Sequence, residues 1–206
     1  MEYLSRSFIR QYREEFNEIV EDLKNELGND WSFHHYLVGS ARRNLVLDSN
    51  EGFDLDYHFR MNKWPDGLTD KEVKYRMMDA LDNVTPDNLS YCEDITHVIT
   101  TKHIEDSRKI YSYDIALIYE GINTQILKNE KQNDGDGPYH YVDVPDSGDF
   151  YEKYKMISGA EMWNDLRDIY KDKKIEQHTI QKDFRPLSFS LLISAIYDVL
   201  QMYNLI

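Results

Sequence analysis

Phe53-Asp54-Leu55-Asp56-Tyr57-His58-Phe59 alternates large apolar and polar side chains without a break. A strand is the regular structure in which successive side chains point to opposite faces. At helical pitch the same apolar residues would split between two sides of the axis, so the run predicts a strand over 53–59. Phe53, Leu55, Tyr57 and Phe59 then lie against a core, and Asp54, Asp56 and His58 share the other face.

Helical patterns surround this strand. From Ser5 to Leu27 the apolar residues Phe8, Tyr12, Phe16, Ile19, Val20, Leu23 and Leu27 fall three and four apart, on one helical face, before the Gly28-Asn29-Asp30 stop. Trp31 to Val38 reads as a short buried strand running into a Gly39-Ser40 turn. Past the Pro65-Asp66-Gly67 turn, Thr69 stands as an N-cap with Glu72 at the capping-box position, opening a helix to about Leu81. Strands are predicted over Ile95–Thr100, Ile110–Tyr119 and Ile122–Leu127. Lys128 to Gly148 is rich in Asn, Asp, Gly and Pro and reads as a long loop, a boundary or a flexible lid. Helices follow over Phe150–Tyr170 and Leu187–Ile206, with Pro186 ahead of the second. The expected class is α+β, divided into a domain over 1–148 and a C-terminal helical region over 149–206 packed against it.

The chain has 206 residues, enough for one sizeable core, and its 24 Lys and Arg against 38 Asp and Glu leave a formal charge of −14. So negative a surface repels a phosphate backbone and disfavours long nucleic acid as a partner. A single phosphate-bearing ligand escapes that objection when a divalent cation accompanies it. The lone Cys92 cannot form an internal disulfide, no apolar run is long enough to span a membrane, and the N-terminus lacks a signal peptide's apolar core. A cytoplasmic protein is expected.

Three acids carry the chemistry. Asp54 and Asp56, two apart on one strand face, repel each other unless a cation neutralises them, and Asp114 interrupts the apolar run Tyr111–Ile118, where an unpaired carboxylate is costly. Mg2+ takes oxygen ligands and is held by one or two carboxylates together with substrate phosphates, which is what such an edge offers. A half-buried strand with one solvated face would also carry acids two apart, and the residues alone leave both readings open. Gly39-Ser40 after a strand lets backbone N–H groups approach a phosphate. His34, His35 and His58 lie nearby but make no zinc spacing.

Leu37-Val38-Gly39-Ser40, followed fourteen residues after Ser40 by the Asp54-Leu55-Asp56 pair and later by Asp114, resembles the nucleotidyltransferase superfamily typified by DNA polymerase beta. The resemblance covers about residues 5–120. It implies a small mixed β-sheet with helices on one side, to which the C-terminal helices are added. It also implies that Asp54, Asp56 and Asp114 are catalytic and ligate Mg2+ or Mn2+, and that Gly39 and Ser40 cradle the β and γ phosphates of a nucleoside triphosphate. Asn50-Glu51-Gly52-Phe53-Asp54 is loosely similar to the approach to the acid pair in the cyclic-nucleotide-synthase branch, which assigns no branch.

Arg42 and Arg43 are candidates for binding the nucleotide's phosphates. The activity implied is transfer of an NMP from an NTP to a hydroxyl acceptor that the sequence does not identify, with release of pyrophosphate. Many members carry a second Gly-Thr or Gly-Ser where this chain has Ala41-Arg42-Arg43-Asn44-Leu45-Val46. That departure motivates the alternative of a silent nucleotidyltransferase-fold protein, a nucleotide sensor or the partner-binding component of a toxin–antitoxin or phage-defence pair.

Overall fold

In the computed structural model, the described residues are 1–120, 123–130, 137–143, 149–181 and 188–206. They fall into one unit over Tyr3–Val144 and another comprising Met1–Glu2 with Pro145–Ile206.

The first unit opens with helix α1, Arg6–Leu27, whose N-cap Ser5 accepts the Phe8 amide and whose buried stripe is Ile9, Phe16, Ile19, Val20 and Leu23. Strand β1, Ser32–Leu37, leads into a single helical turn, α2, Gly39–Arg42. Strand β2 runs Phe53–Lys63, four residues beyond the predicted end, with the expected alternation of buried and accessible positions. Helix α3, Asp70–Val84, begins with the predicted Thr69/Glu72 capping box.

Strands β3 (Glu93–Asp94), β4 (Ile99–Glu105), β5 (Arg108–Glu120), β6 (Thr124–Asn129) and β7 (Tyr139–Asp143) complete a mixed seven-stranded sheet. Its order is β1-β2-β5-β4-β3, with β6 on β5 and β7 on β6. The β2–β5 pairing is parallel and the others antiparallel.

Alternation puts Leu55, Tyr57 and Phe59 of β2 and Tyr113, Ile115 and Leu117 of β5 on one face, in the same buried cluster as Phe16 and Leu23 of α1 and Val73, Met77 and Leu81 of α3. The Phe16 ring stacks on Tyr57 with centroids 4.0 Å apart. The opposite face of β2 and β5 carries the acids.

Three expectations change. The Ile95–Thr100 strand is a turn at its start, because Ile95 and Val98 bond to each other's backbone and β4 begins at Ile99. The loop expected over Lys128–Gly148 contains the end of β6 and all of β7, paired from Gln125↔Asp143 to Asn129↔Tyr139. Its remaining stretches, 131–136 and 144–148, lie outside the described residues, as do Ile122 at the start of the strand predicted over Ile122–Leu127 and Pro186-Leu187.

In the second unit the helix expected over Phe150–Tyr170 is two, α4 (Phe150–Met156) and α5 (Gly159–Gln177). Gly159 at φ +74° takes a conformation that L side chains rarely adopt and breaks the helix there. Helix α6, Ser188–Met202, packs on α5 and buries Leu192, Ala195, Ile196, Val199 and Leu200. Among the described residues no helix is long and apolar enough to cross a membrane.

Candidate active site

Parallel pairing of β2 with β5 sets Asp56 directly opposite Asp114, and Asp54 opposite Ser112. Antiparallel pairing of β4 with β5 brings Thr100 to the other side of Asp114, and its hydroxyl donates to Asp114 Oδ1 at 2.8 Å. The two aspartates sit on neighbouring strands, about 5 Å apart along the hydrogen-bonding direction.

β1 delivers the glycine turn. The Val38 amide donates to the Asp56 carbonyl at 2.8 Å, and the chain then leaves the sheet at Gly39, φ +62°. A β-carbon on Gly39 would lie 2.0 Å from Asp56 Oδ2, so the glycine is what allows the carboxylate its seat. Arg43 reaches back and donates to the Gly39 carbonyl at 2.9 Å, bracing the turn. Ser40 follows within α2.

The acids differ electrostatically. Burial first, then the charges of Asp114 and Asp54, push the Asp56 carboxyl up to about 7. Asp114 is raised for the same reasons, burial and then the Asp54 charge, against the opposing Thr100 hydrogen bond. Asp54 is half exposed and engaged, since Lys109 forms an ion pair with its Oδ1 and the Ser112 hydroxyl donates to the same oxygen. Among the described residues no hydrogen bond reaches the Asp56 carboxylate from another side chain, and no three His, Cys, Asp or Glu side chains are already gathered as a metal site.

Asp54, Asp56, Asp114, Gly39 and Ser40 are thus brought to one end of β1, β2 and β5. Arg43 braces the turn from behind. Arg42 instead lines a cavity with Arg13, His35 and Tyr57, whose positions belong to the α1-covered side of the sheet. Lys109, Ser112 and Thr100 were not singled out from the sequence. Only the strand registers show that Ser112 and Thr100 flank the acids, though Ser112 at two residues from Asp114 shares its strand face.

No protein-family model matches the chain and no curated protein does. Solved structures do. The CdnE cyclic dinucleotide synthase of Elizabethkingia meningoseptica, with GTP and Apcpp, matches at TM-score 0.55 and 16% identity over 89% of this chain and 67% of that one. CdnC of E. coli MS115-1 with ATP matches at TM-score 0.56 and 17% identity, over 92% of this chain and 59% of that one. GTP-bound DncV of Vibrio cholerae matches at TM-score 0.57 and 13% identity, over 90% of this chain and 51% of that one. The chain spans about half to two thirds of the length of these structures. At such identities the likeness speaks to architecture, and the mixed sheet with its Gly39 turn and strand acids has the nucleotidyltransferase fold.

Proposed function

We propose that the chain is a divalent-metal-dependent nucleotidyltransferase, moving an NMP from an NTP to a hydroxyl acceptor with release of pyrophosphate. The carrying observation is the Asp56–Asp114 pair, two largely buried carboxylates in register on parallel strands beside the Gly39-Ser40 turn. As bare charges such a pair is unfavourable, and a doubly charged cation relieves both burial and repulsion. The donor set fits Mg2+ or Mn2+, being carboxylate oxygens alone. Asp56 and Asp114 would hold the metal, with Asp54 joining on release from Lys109. When bound, such ions acidify an attacking hydroxyl and screen the leaving pyrophosphate.

The residues of the chain supply the rest. Gly39 and Ser40 receive the β and γ phosphates, the glycine by letting them approach the backbone and the serine by donating its hydroxyl. Arg43 holds that turn through the Gly39 carbonyl. Asp114, whose burial raises its basicity, takes the proton that the acceptor hydroxyl gives up. The CdnE, CdnC and DncV structures hold GTP, ATP or Apcpp, which supports an NTP as donor and makes a second nucleotide the first acceptor to try.

A second reading has its own observation. With Asp54 held by Lys109 and Ser112, the acid centre is closed by an internal cation, as suits a protein that binds nucleotide without turnover. Thermal shift with ATP, GTP, CTP and UTP, with and without Mg2+ or Mn2+, separates the outcomes when followed by pyrophosphate release. A metal-dependent shift with turnover, both lost in Asp54→Asn/Asp56→Asn, supports the enzyme. A shift without turnover across an acceptor panel supports the sensor, and no shift with any NTP refutes both.

A further inference from the structure

At the β1 edge of the sheet, a cavity of about 390 Å³ is lined by Arg13 and Asn17 of α1, His35, Leu37 and the edge residue Tyr36 of β1, Tyr57 of β2 and Arg42 of α2. Strand alternation places Leu37, His35 and Tyr57 on the face opposite Asp54 and Asp56, so the two sites are separated by the sheet. The volume is within the usual range of small-molecule sites.

Its polar lining is one-sided. Arg13 has Ile9, Arg10, Phe16 and Asn17 at helical neighbour positions, none of them an acid. Among the described residues neither Arg13 nor Arg42 has an ion-pair partner, in a chain where acids outnumber bases 38 to 24 and lysines and arginines elsewhere find them, as in Arg60–Glu120 and Lys63–Asp30. Asn17 Oδ1 is 3.0 Å from His35 Nε2; with the imidazole donating, the amide N–H groups are left for another acceptor. Burial favours the neutral ring of His35.

Tyr57 is the second, independent sign. It is 2% exposed, and its hydroxyl is buried with no hydrogen-bond partner among the described residues. Two buried tyrosines of the same cluster on the adjacent strand are satisfied, Tyr113 donating to the Tyr12 carbonyl at 2.7 Å and Tyr111 to Glu15 at 2.9 Å. A phenylalanine would give the stacking on Phe16 without a buried orphan donor, which costs about 1–3 kcal/mol. Arg13 lines the same cavity as this tyrosine.

Two guanidiniums, an amide and a phenol all offer protons, and none of them finds an acceptor among the described residues. We propose that this cavity binds a small molecule bearing a phosphate or carboxylate group, held by Arg13 and Arg42 with the Tyr57 hydroxyl donating to it. Arg42 ends the helical turn that Gly39 opens, so the ligand is anchored to the same turn as the candidate active site from the other side.

The test uses the full chain, isotope-labelled, without nucleotide or divalent metal, titrated separately with inorganic phosphate, pyrophosphate and glutarate while the arginine side-chain N–H and tyrosine ring resonances are followed. The expected result is a saturable shift of Arg13, Arg42 and Tyr57 with one probe, weakened about tenfold by Arg13→Gln and by Arg42→Gln and less by Tyr57→Phe. It should be unchanged in Asp54→Asn/Asp56→Asn, so failure here is distinguishable from failure of the enzyme reading. A phosphate or pyrophosphate response assigns a phosphoryl ligand, and a glutarate response a carboxylate. No saturable shift up to about 20 mM, indifference to both arginine variants, or loss in the aspartate variant overturns the proposal. Arg13 and Arg42 are exposed and on separate elements, so one variant remains informative if the other fails to fold.

Discussion

Gly39 and the Asp56 carboxylate occupy adjoining space so closely that a methyl group on the glycine would stand 2.0 Å from Oδ2 and 2.9 Å from Cγ. The turn is therefore part of the acid's seat. Gly39→Ala must rotate the carboxylate away and also strain a residue at φ +62°. The expected outcome is a stability loss of about 1–2 kcal/mol by urea denaturation. Pyrophosphate release should fall about a hundredfold, because a misplacement of this kind upsets the geometry of reaction. An alanine variant with full turnover would detach Gly39 from the acid centre.

Asp56 also sets a pH dependence whose sign is opposite to that of ordinary acid denaturation. With the folded carboxyl at about 7 and its ordinary value at 3.8, the folded state holds a proton that the unfolded chain releases between those values. Stability thus falls as pH rises from about 4 to 7 and stays reduced above. Asp56→Asn removes the buried charge, so the variant should be more stable than the wild type by about 4 kcal/mol at pH 8 and indistinguishable near pH 4. Denaturation at the two pH values checks it, and saturating Mg2+ should narrow the gap at pH 8 by stabilising the wild type alone.

Lys109 is the internal cation of the site, paired with Asp54. The pair is half exposed, so its loss in Lys109→Met should change stability by less than about 1 kcal/mol. Its electrostatic effect on metal should be larger, since Asp54 is released and a nearby positive charge removed. Mn2+ affinity, read by electron paramagnetic resonance titration, is expected to rise about three- to tenfold. Affinity unchanged or weakened in the variant would place Lys109 outside the competition for Asp54.

What could be read from the chain was local. The alternation of Phe53–Phe59, the Thr69/Glu72 box and the spacing of Ser5–Leu27 each follow from neighbours a few residues apart, and each has its predicted element. What could not be read depends on partners distant in sequence. Tyr139–Asp143 has strand-forming Tyr and Val but is only five residues long between Gly-, Asp- and Pro-rich flanks, and it is a strand because β6 gives it a ladder. Ile95-Thr96-His97-Val98 has strand-forming residues, yet the Ile95–Val98 turn prevails and Ile95 is 40% exposed. Arg42 and Arg43 look equivalent as a dipeptide. The tight turn of α2 sends one to the Gly39 carbonyl and the other to the cavity with Arg13.

The ladder is not all that holds β7, for its Tyr139 also bonds to a buried ion pair. Lys74 of α3 is 1% exposed and lies 2.6 Å from Asp94 Oδ1 while donating to the Ile95 carbonyl at 2.7 Å. The other Asp94 oxygen accepts from Asn129 of β6 at 2.8 Å and from the Tyr139 hydroxyl of β7. Burial alone would raise this carboxyl, but the bonds from Lys74 and Tyr139 outweigh it and hold Asp94 below its ordinary value. Its stabilisation is complete above that value and drains as pH falls through the lowered one, the reverse of Asp56. Asp94→Asn leaves the buried ammonium without its counter-charge and should cost about 3 kcal/mol at pH 7. The Lys74→Met/Asp94→Asn double variant should lose less than the sum of the single losses, because the uncompensated charge is gone. Denaturation of the four proteins at pH 7 measures that coupling, and strict additivity would mean that the pair contributes nothing to joining α3 with β6 and β7.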